Sequence, residues 1–162
     1  MTPQRQASGS AGPAAGARLF TVGVGTCAGV RAQEVLHLVR GVLTAAGLAE
    51  EDVAALATVQ ARAQEPGLLT AARRLGLPLL AYDARTLARV RVPHPSDFSR
   101  AAVGTPSVAE AAALLAGGGD GSSVQSGAPV LLTPKTTSRP ADGSPARATA
   151  ALAAIAVPGT ET

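Results

Sequence analysis

Short apolar runs alternate with longer segments of helical periodicity in the first half of the chain, and this alternation constrains the fold most. Residues 19–24 are an apolar run that enters a glycine-rich loop, and residues 30–46 then carry apolar side chains at helical spacing. A second run, Val53–Val59, precedes a helical segment over Pro66–Leu75. Because alternating strands and helices are typical of βαβ units, the pattern predicts an α/β domain.

The second half of the chain continues this pattern with shorter elements. A third strand is predicted at 77–81, and Asp83 and Ser96 are expected to cap short helices that end at Leu87 and Ala102. Ser107 and Glu110 have capping-box spacing before an Ala-rich helix over Val108–Ala116. Two further strands are expected at 130–133 and 148–157, joined by a long loop over 134–147 that is either mobile or functional.

These elements predict one three-layer α/β/α domain over residues 19–157, with a roughly five-stranded, mainly parallel or mixed sheet. Residues 1–18 are Ser-, Gly-, Ala- and Pro-rich, which is typical of a disordered leader and not of a secretory signal. Residues 158–162 are expected to be a frayed tail.

Lys135 is the single lysine among 14 basic residues, and the arginines are scattered along a chain with a net charge of +3. A nucleic-acid protein would need a dense basic face with aromatic stacking platforms, but Phe20, Tyr82 and Phe98 are the only aromatic residues. We therefore expect no nucleic-acid partner. Because guanidinium groups pair bidentately with carboxylates, the arginine bias suits small polycarboxylate ligands.

Cys27 is the only cysteine, so no disulfide can form within the chain, and a cytoplasmic location is expected. His37 and His94 form no metal-binding spacing, and no metal or other cofactor is expected. No apolar run reaches the length of about 18 residues that a membrane span requires.

The segment ATVQARAQEPGLL, residues 57–69, holds the densest cluster of polar groups at a predicted strand end. It contains the hydroxyl of Thr58, the guanidinium of Arg62, the carboxylate of Glu65 and the N–H groups of a new helix that includes Gly67. Ligands of open α/β sheets bind at such strand ends, which favours a functional interpretation. The alternative is a simple surface ion pair between Arg62 and Glu65, worth under about 1 kcal/mol.

The glycines Gly23, Gly25 and Gly29 form G-x-G-x-x-x-G, which lacks the spacing of a dinucleotide fingerprint and argues against NAD. Such a loop can bind an anion through backbone N–H groups or can simply let a helix pack closely, and the sequence favours neither. Cys27 in this loop is more consistent with a small packing residue than with a nucleophile, because no activating base is in view.

In order and spacing, these motifs resemble the CobE / CbiG C-terminal domain family of cobalamin biosynthesis, over about residues 19–157. The matching pieces follow the family's order: GVGTCAG then AQEV, LATVQARAQEPGLL, LGLPLLAY, HPSDFSRAAVGTPSVAEAAALLA, and LLTPKTT before an Ala- and Thr-rich last strand. Each piece alone is weak, but their combined order is specific.

The resemblance marks a set of family-pattern positions: Gly23, Gly25, Thr58, Glu65, Gly67, Pro95, Ser96, Gly104, Ser107, Glu110 and Lys135. The chain departs from the family at Thr26, Cys27 and Ala28, where members usually show Cys and then basic residues. Arg62 stands where Lys is common.

The resemblance implies two functions. CobE-type proteins of similar size suggest a protein that binds or delivers a corrin-ring intermediate. Larger members are similar to cobalt-precorrin-5A hydrolases, which open the δ-lactone of the macrocycle and release an aldehyde, and this chain corresponds to their C-terminal part. A third possibility is a subunit that binds another cobalamin-pathway enzyme.

For a binding protein, we expect one cleft in which residues 25–29 and the helix start at Thr105 and Ser107 donate N–H groups. Arg62 and Lys135 would neutralise carboxylates, and Glu65 would orient Arg62 or a water. For a hydrolase, Glu65 would be the general base, and Lys135 or helix N–H groups would stabilise the oxyanion.

Overall fold

The computed structural model describes residues 19–90, 108–117 and 130–155, within which five strands form one sheet. The strands are β1 (Phe20–Thr26), β2 (Val53–Val59), β3 (Leu79–Tyr82), β4 (Val130–Thr137) and β5 (Ala148–Ala154). The helices are α1 (Ala32–Ala45), α2 (Pro66–Leu75), α3 (Ala84–Ala88) and α4 (Val108–Ala116), with 3-10 turns at Glu50–Asp52 and Gln60–Arg62.

The sheet is mixed and has the strand order β3-β2-β1-β5-β4. β1, β2 and β3 run parallel to one another, whereas β5 is antiparallel to both β1 and β4. The carboxyl ends of β1 to β4 and the amino end of β5 therefore lie at one side of the sheet, which we call the carboxyl edge. The predicted α/β fold with a five-stranded mixed sheet is confirmed.

Two aliphatic clusters pack against opposite faces of the sheet and give the fold its three layers. On one face, α1 and α2 bury residues such as Val39 and Leu68 against Val22 and Leu56. On the other face, α3 and α4 pack against Ala57, Val59, Ala151 and Ala153. Because so many of these side chains are alanine, helices and strands approach closely.

The contact between α4 and β1 is the closest of these approaches. A Cβ at Gly23 would overlap the backbone oxygen of Ala109, so a side chain there would push the helix off the sheet. The hydroxyl of Thr21 on the same strand donates to the backbone oxygen of Ala113 at 2.8 Å. Small residues and one buried hydrogen bond thus fix how α4 lies on the sheet.

The helix ends follow the expected chemistry. Gly47 after α1 and Gly76 after α2 have φ of 74° and 71°, a left-handed conformation that glycine adopts without strain. The Asp83 side chain accepts from the N–H of Arg85 at 2.8 Å and caps α3. The prediction that Asp83 caps this helix is confirmed.

The boundaries of β1, β3 and β5 differ from the sequence prediction. β1 continues to Thr26 because Gly25 and Thr26 pair with Thr149 and Ala148 of β5. β3 lies at Leu79–Tyr82 instead of 77–81, and β5 ends at Ala154. Residues 1–18, 91–107, 118–129 and 156–162 lie outside the described residues, and with them the predicted leader, the helix that Ser96 would cap, and the tail.

The predicted long loop over 134–147 is wrong in its extent. β4 continues to Thr137, which pairs with Thr149, and its register shifts between Thr133 and Thr136. Pro134 lies in that interval. Because proline has no N–H to donate, its presence argues against a strand when only the sequence is considered.

Candidate functional site

The loops that follow β1 and β2 are joined at the carboxyl edge by a side chain. Glu65 immediately precedes α2, and its Oε1 accepts from the backbone N–H of Gly29 at 2.7 Å. Gly29 has a φ of 80°, so the turn that presents this N–H uses glycine's conformational freedom. Glu65 and Gly29, both predicted site residues, are therefore in contact.

The loop at residues 27–30 directs several of its N–H groups to the protein itself. Cys27 N–H donates to the backbone oxygen of Arg147 at 2.9 Å, and Val30 N–H donates to the oxygen of Cys27 at 3.2 Å. With the Gly29 N–H bound to Glu65, three donors are used internally. The expectation that residues 25–29 offer their N–H groups to an anion is therefore wrong for Cys27 and Gly29.

Two buried polar atoms at the carboxyl edge have no hydrogen-bond partner in the described part of the chain. They are Oγ1 of Thr26, at the end of β1, and Nε of Arg62, in the turn after β2. A buried polar group without a partner costs about 1–3 kcal/mol.

Arg62 and Glu65 form no ion pair, although both belong to the described residues. The carboxylate turns instead to Gly29, and the Arg62 backbone oxygen accepts from the Glu65 N–H at 3.1 Å. The simple surface pair considered from the sequence is therefore wrong, and the charge of Arg62 is not neutralised by Glu65. We call Thr26, Gly29, Arg62 and Glu65 the carboxyl-edge cluster.

Several other predicted site residues have packing roles in the structure. The Thr58 hydroxyl is fully buried and donates to the backbone oxygen of Val24 at 2.6 Å. A Cβ at Gly67 would overlap the backbone oxygen of Val30, and a Cβ at Gly25 would lie 2.9 Å from Oγ1 of Thr149. Like Gly23, which lies beneath α4, these two glycines and Thr58 allow close packing between the strands and helices whose ends form the carboxyl-edge cluster.

Glu110 and Lys135 meet beside the first turn of α4. Glu110 is 0% exposed, and its Oε2 accepts from the backbone N–H of Lys135 at 2.9 Å. Lys135 itself lies within β4, with a half-buried side chain, and not after the strand as predicted. Ser96, Gly104, Thr105 and Ser107, also predicted to bind ligand, lie outside the described residues.

A second group of contacts at the carboxyl edge, which the sequence did not predict, is centred on Glu34 of α1. Its Oε2 accepts from the backbone N–H of Arg147 at 2.8 Å and from the hydroxyl of Ser138. The guanidinium of Arg147 donates to the backbone oxygen of Ala28 at 3.1 Å. The β4–β5 connection is thereby fastened to α1 and to the loop after β1.

Two groups in the described residues have shifted pKa values. Burial raises the pKa of the Tyr82 phenol at the end of β3. Hydrogen bonds from the side chain and backbone of Ser144 lower the pKa of the exposed Asp142 carboxyl. No helix among the described residues is long and apolar enough to cross a membrane.

Comparison with known proteins identifies the family of this chain. Residues 20–153 match the family described as cobalamin synthesis G C-terminus. The chain belongs to this family. It is 38% identical over 141 residues to Protein CobE of Sinorhizobium sp, an alignment that covers 86% of this chain and 81% of that protein. It is a CobE-like protein of cobalamin biosynthesis.

Two further relatives place this chain within the family. A crystal structure of CobE from the cobalamin (vitamin B12) biosynthetic pathway superimposes on this chain with a TM-score of 0.70 at 30% identity. The match covers 86% of this chain and 95% of the CobE chain. A cobalt-precorrin-5A hydrolase of Priestia megaterium is 28% identical over 103 residues, which are 64% of this chain and 28% of the hydrolase. This chain thus corresponds to a minor part of the hydrolase and to most of CobE.

Proposed function

We propose that this chain binds a corrin-ring intermediate of cobalamin biosynthesis through the ring's carboxylates, and that it acts as an accessory protein rather than as a hydrolase. The carboxyl-edge cluster supplies the contacts. Membership in a cobalamin-biosynthesis family supplies the ligand class, since corrin intermediates carry several acetate and propionate side chains.

The observations that carry this proposal are the unpartnered Nε of Arg62, in the turn after β2, and the unpartnered hydroxyl of Thr26, at the end of the neighbouring strand β1. A guanidinium recognises a carboxylate through parallel N–H···O bonds, which are stronger than neutral hydrogen bonds. A carboxylate bound by the Arg62 guanidinium would supply the acceptor that this side chain lacks, and the Thr26 hydroxyl is a further donor at the same edge of the sheet. Glu65 contributes by fixing the loop that carries Gly29, so the cluster is formed before ligand arrives.

The positions of the two proposed catalytic groups favour binding over hydrolysis. Glu65 follows β2, whereas Lys135 lies in β4, and β1 and β5 separate those strands. Strands β2 and β4 are about 14 Å apart across the sheet, at a spacing of about 4.8 Å between neighbouring strands, and the Glu65 carboxylate is already bound to the Gly29 N–H after β1. A general base and an oxyanion stabiliser must both reach one reacting centre within about 3 Å.

Titration with a metal-free corrin polycarboxylate, followed by the absorbance of the ring, tests the proposal. A saturable spectral change is expected, with an affinity that falls as ionic strength rises, because the contacts are between charges. Absence of any spectral change would overturn the binding function. Release of aldehyde from the lactone intermediate by the purified chain would instead support hydrolysis.

A further inference from the structure

A groove separate from the carboxyl-edge cluster lies between α1 and β4. Its volume is 640 Å³, and the segment 138–142 after β4 forms one end. Sites for small organic ligands have volumes of roughly 300–1,000 Å³. The groove is therefore large enough to hold much of a ring-shaped ligand.

The later part of α1 gives the groove an apolar wall, which contains a glycine that the fold does not require. Leu38 and Val42 are 7% and 2% exposed and form the wall together with Gly41 and Ala45. Gly41 lies inside the helix without a positive φ, and nothing lies within 4 Å of where its Cβ would be. Glycine destabilises a helix interior relative to alanine, so neither packing nor backbone geometry explains this residue. Its absence of a side chain leaves space in the groove.

The rim of the groove carries the cationic side chain of Arg139 and the imidazole of His37, neither of which is engaged by other residues that the structure describes. Within the described ranges, the exposed side chains of Arg139 and His37 form no ion pair or hydrogen bond. Arg31 also lines the groove and lies 3.6 Å from Asp142 in an exposed pair. A ligand with an apolar body and peripheral carboxylates matches this combination of wall and rim.

The acidic side chains of the groove are already engaged. Glu34 accepts from Ser138 and from the Arg147 N–H, and Asp142 accepts from the backbone and hydroxyl of Ser144 at 2.9 and 2.6 Å. The Glu34 bonds hold the 138–142 end of the groove against α1, and the Asp142 bonds lie within the β4–β5 connection itself. The groove is therefore preformed, which lowers the entropic cost of binding.

We propose that this groove holds the ring body of a corrin polycarboxylate, with Leu38, Gly41 and Val42 against the ring and Arg139 contacting its carboxylates. The inference rests on the proposed function for its ligand class. Contacts at the groove and at the carboxyl-edge cluster are compatible, because carboxylates surround such a ring and Arg31 of the groove directly follows the loop that contains Gly29.

The test compares a metal-free corrin polycarboxylate with its fully methyl-esterified form, which keeps the ring and removes the charge. Gly41→Leu places a side chain in the groove and is expected to weaken binding of both compounds at least about tenfold. Arg139→Ala is expected to weaken binding of the acid about tenfold and to leave the ester unaffected. Thr44→Leu, an exposed position of α1 outside the groove, and Arg73→Ala on α2 are the matched controls.

Gly41→Ala separates a binding role from a structural one. It is expected to raise the melting temperature by about 2 °C, since alanine favours the helix, while weakening binding of both compounds. Corrinoid binding that is unchanged in Gly41→Leu and in Arg139→Ala would overturn the groove and leave the proposed function standing. No binding by the unmodified chain would overturn both.

Discussion

The carboxylate of Glu65 accepts the backbone N–H of Gly29 at 2.7 Å and so ties the start of α2 to the loop after β1. Glu65 and Gly29 are 36 positions apart in the sequence. The bond links the loop after β1 to the segment after β2, and so fixes the end of β1 at Thr26 relative to Arg62. These are the two residues whose buried polar atoms lack a hydrogen-bond partner in the described part of the chain. The role of Glu65 is therefore to position the cluster.

Replacement of Glu65 tests this positioning role. Glu65→Ala removes the acceptor and is expected to lower the free energy of unfolding by about 1 kcal/mol. Glu65→Gln keeps an acceptor oxygen and is expected to retain most of that stability. Chemical denaturation of the two variants measures the difference, and equal stability losses in both would contradict the assignment.

Glu34 is expected to matter more, because one oxygen accepts from both Ser138 and Arg147. Glu34→Ala leaves the half-buried connection without its acceptor and should cost about 2 kcal/mol of unfolding free energy. Glu51→Ala, at an exposed position of the 3-10 turn before β2, is the matched control and should change stability by under about 0.5 kcal/mol. Similar values for the two variants would show that Glu34 does not fasten the β4–β5 connection.

Gly23 is expected to tolerate no side chain. Gly23→Ala would force a methyl group into the backbone of α4 at Ala109 and should lower stability by about 3 kcal/mol. The same substitution at Gly41 meets no atom within 4 Å and should be neutral or stabilising. Thermal unfolding of the pair measures this contrast, and a Gly23→Ala variant as stable as the parent would refute the close helix–sheet approach.

Tyr82 provides a direct spectroscopic check of the carboxyl edge, because it is the single tyrosine and the chain has no tryptophan. Burial raises its pKa in the folded chain above the usual value of about 10. Folding therefore favours the neutral phenol, a stabilising contribution that is present below pH 10 and is lost as the pH rises through the folded-state pKa. Tyrosinate absorbance should appear at higher pH in the native chain than in denaturant, and coincident titrations would contradict burial.

The alternation of apolar runs and helical segments predicted the order of the elements well. Val53–Val59 and Pro66–Leu75 have the predicted bounds, because a buried strand and a helix with proline in its first turn carry strong local signals. The course of β4 could not be predicted in the same way. Its pairing with β5 depends on residues distant in the sequence, and Pro134 by itself predicts the end of a strand.

The candidate site was predictable only in part, for a related reason. The segment containing Arg62 and Glu65 stood out as a strand end with polar groups, but the partner of Glu65 is a backbone N–H, which leaves no mark in side-chain patterns. Glu34 contacts Arg147 across 113 positions, and a glutamate in the first turn of a helix is ordinarily explained by the helix dipole. Such long-range contacts require the fold.

The central claim is that Arg62 binds a carboxylate of a corrin intermediate at the carboxyl edge. Equilibrium titration of a metal-free corrin polycarboxylate against Arg62→Ala, with Arg73→Ala on the exposed face of α2 as the control, tests it most directly. We expect Arg62→Ala to weaken binding at least about tenfold and Arg73→Ala to bind as the parent does. Equal affinities for the parent and Arg62→Ala would contradict the account.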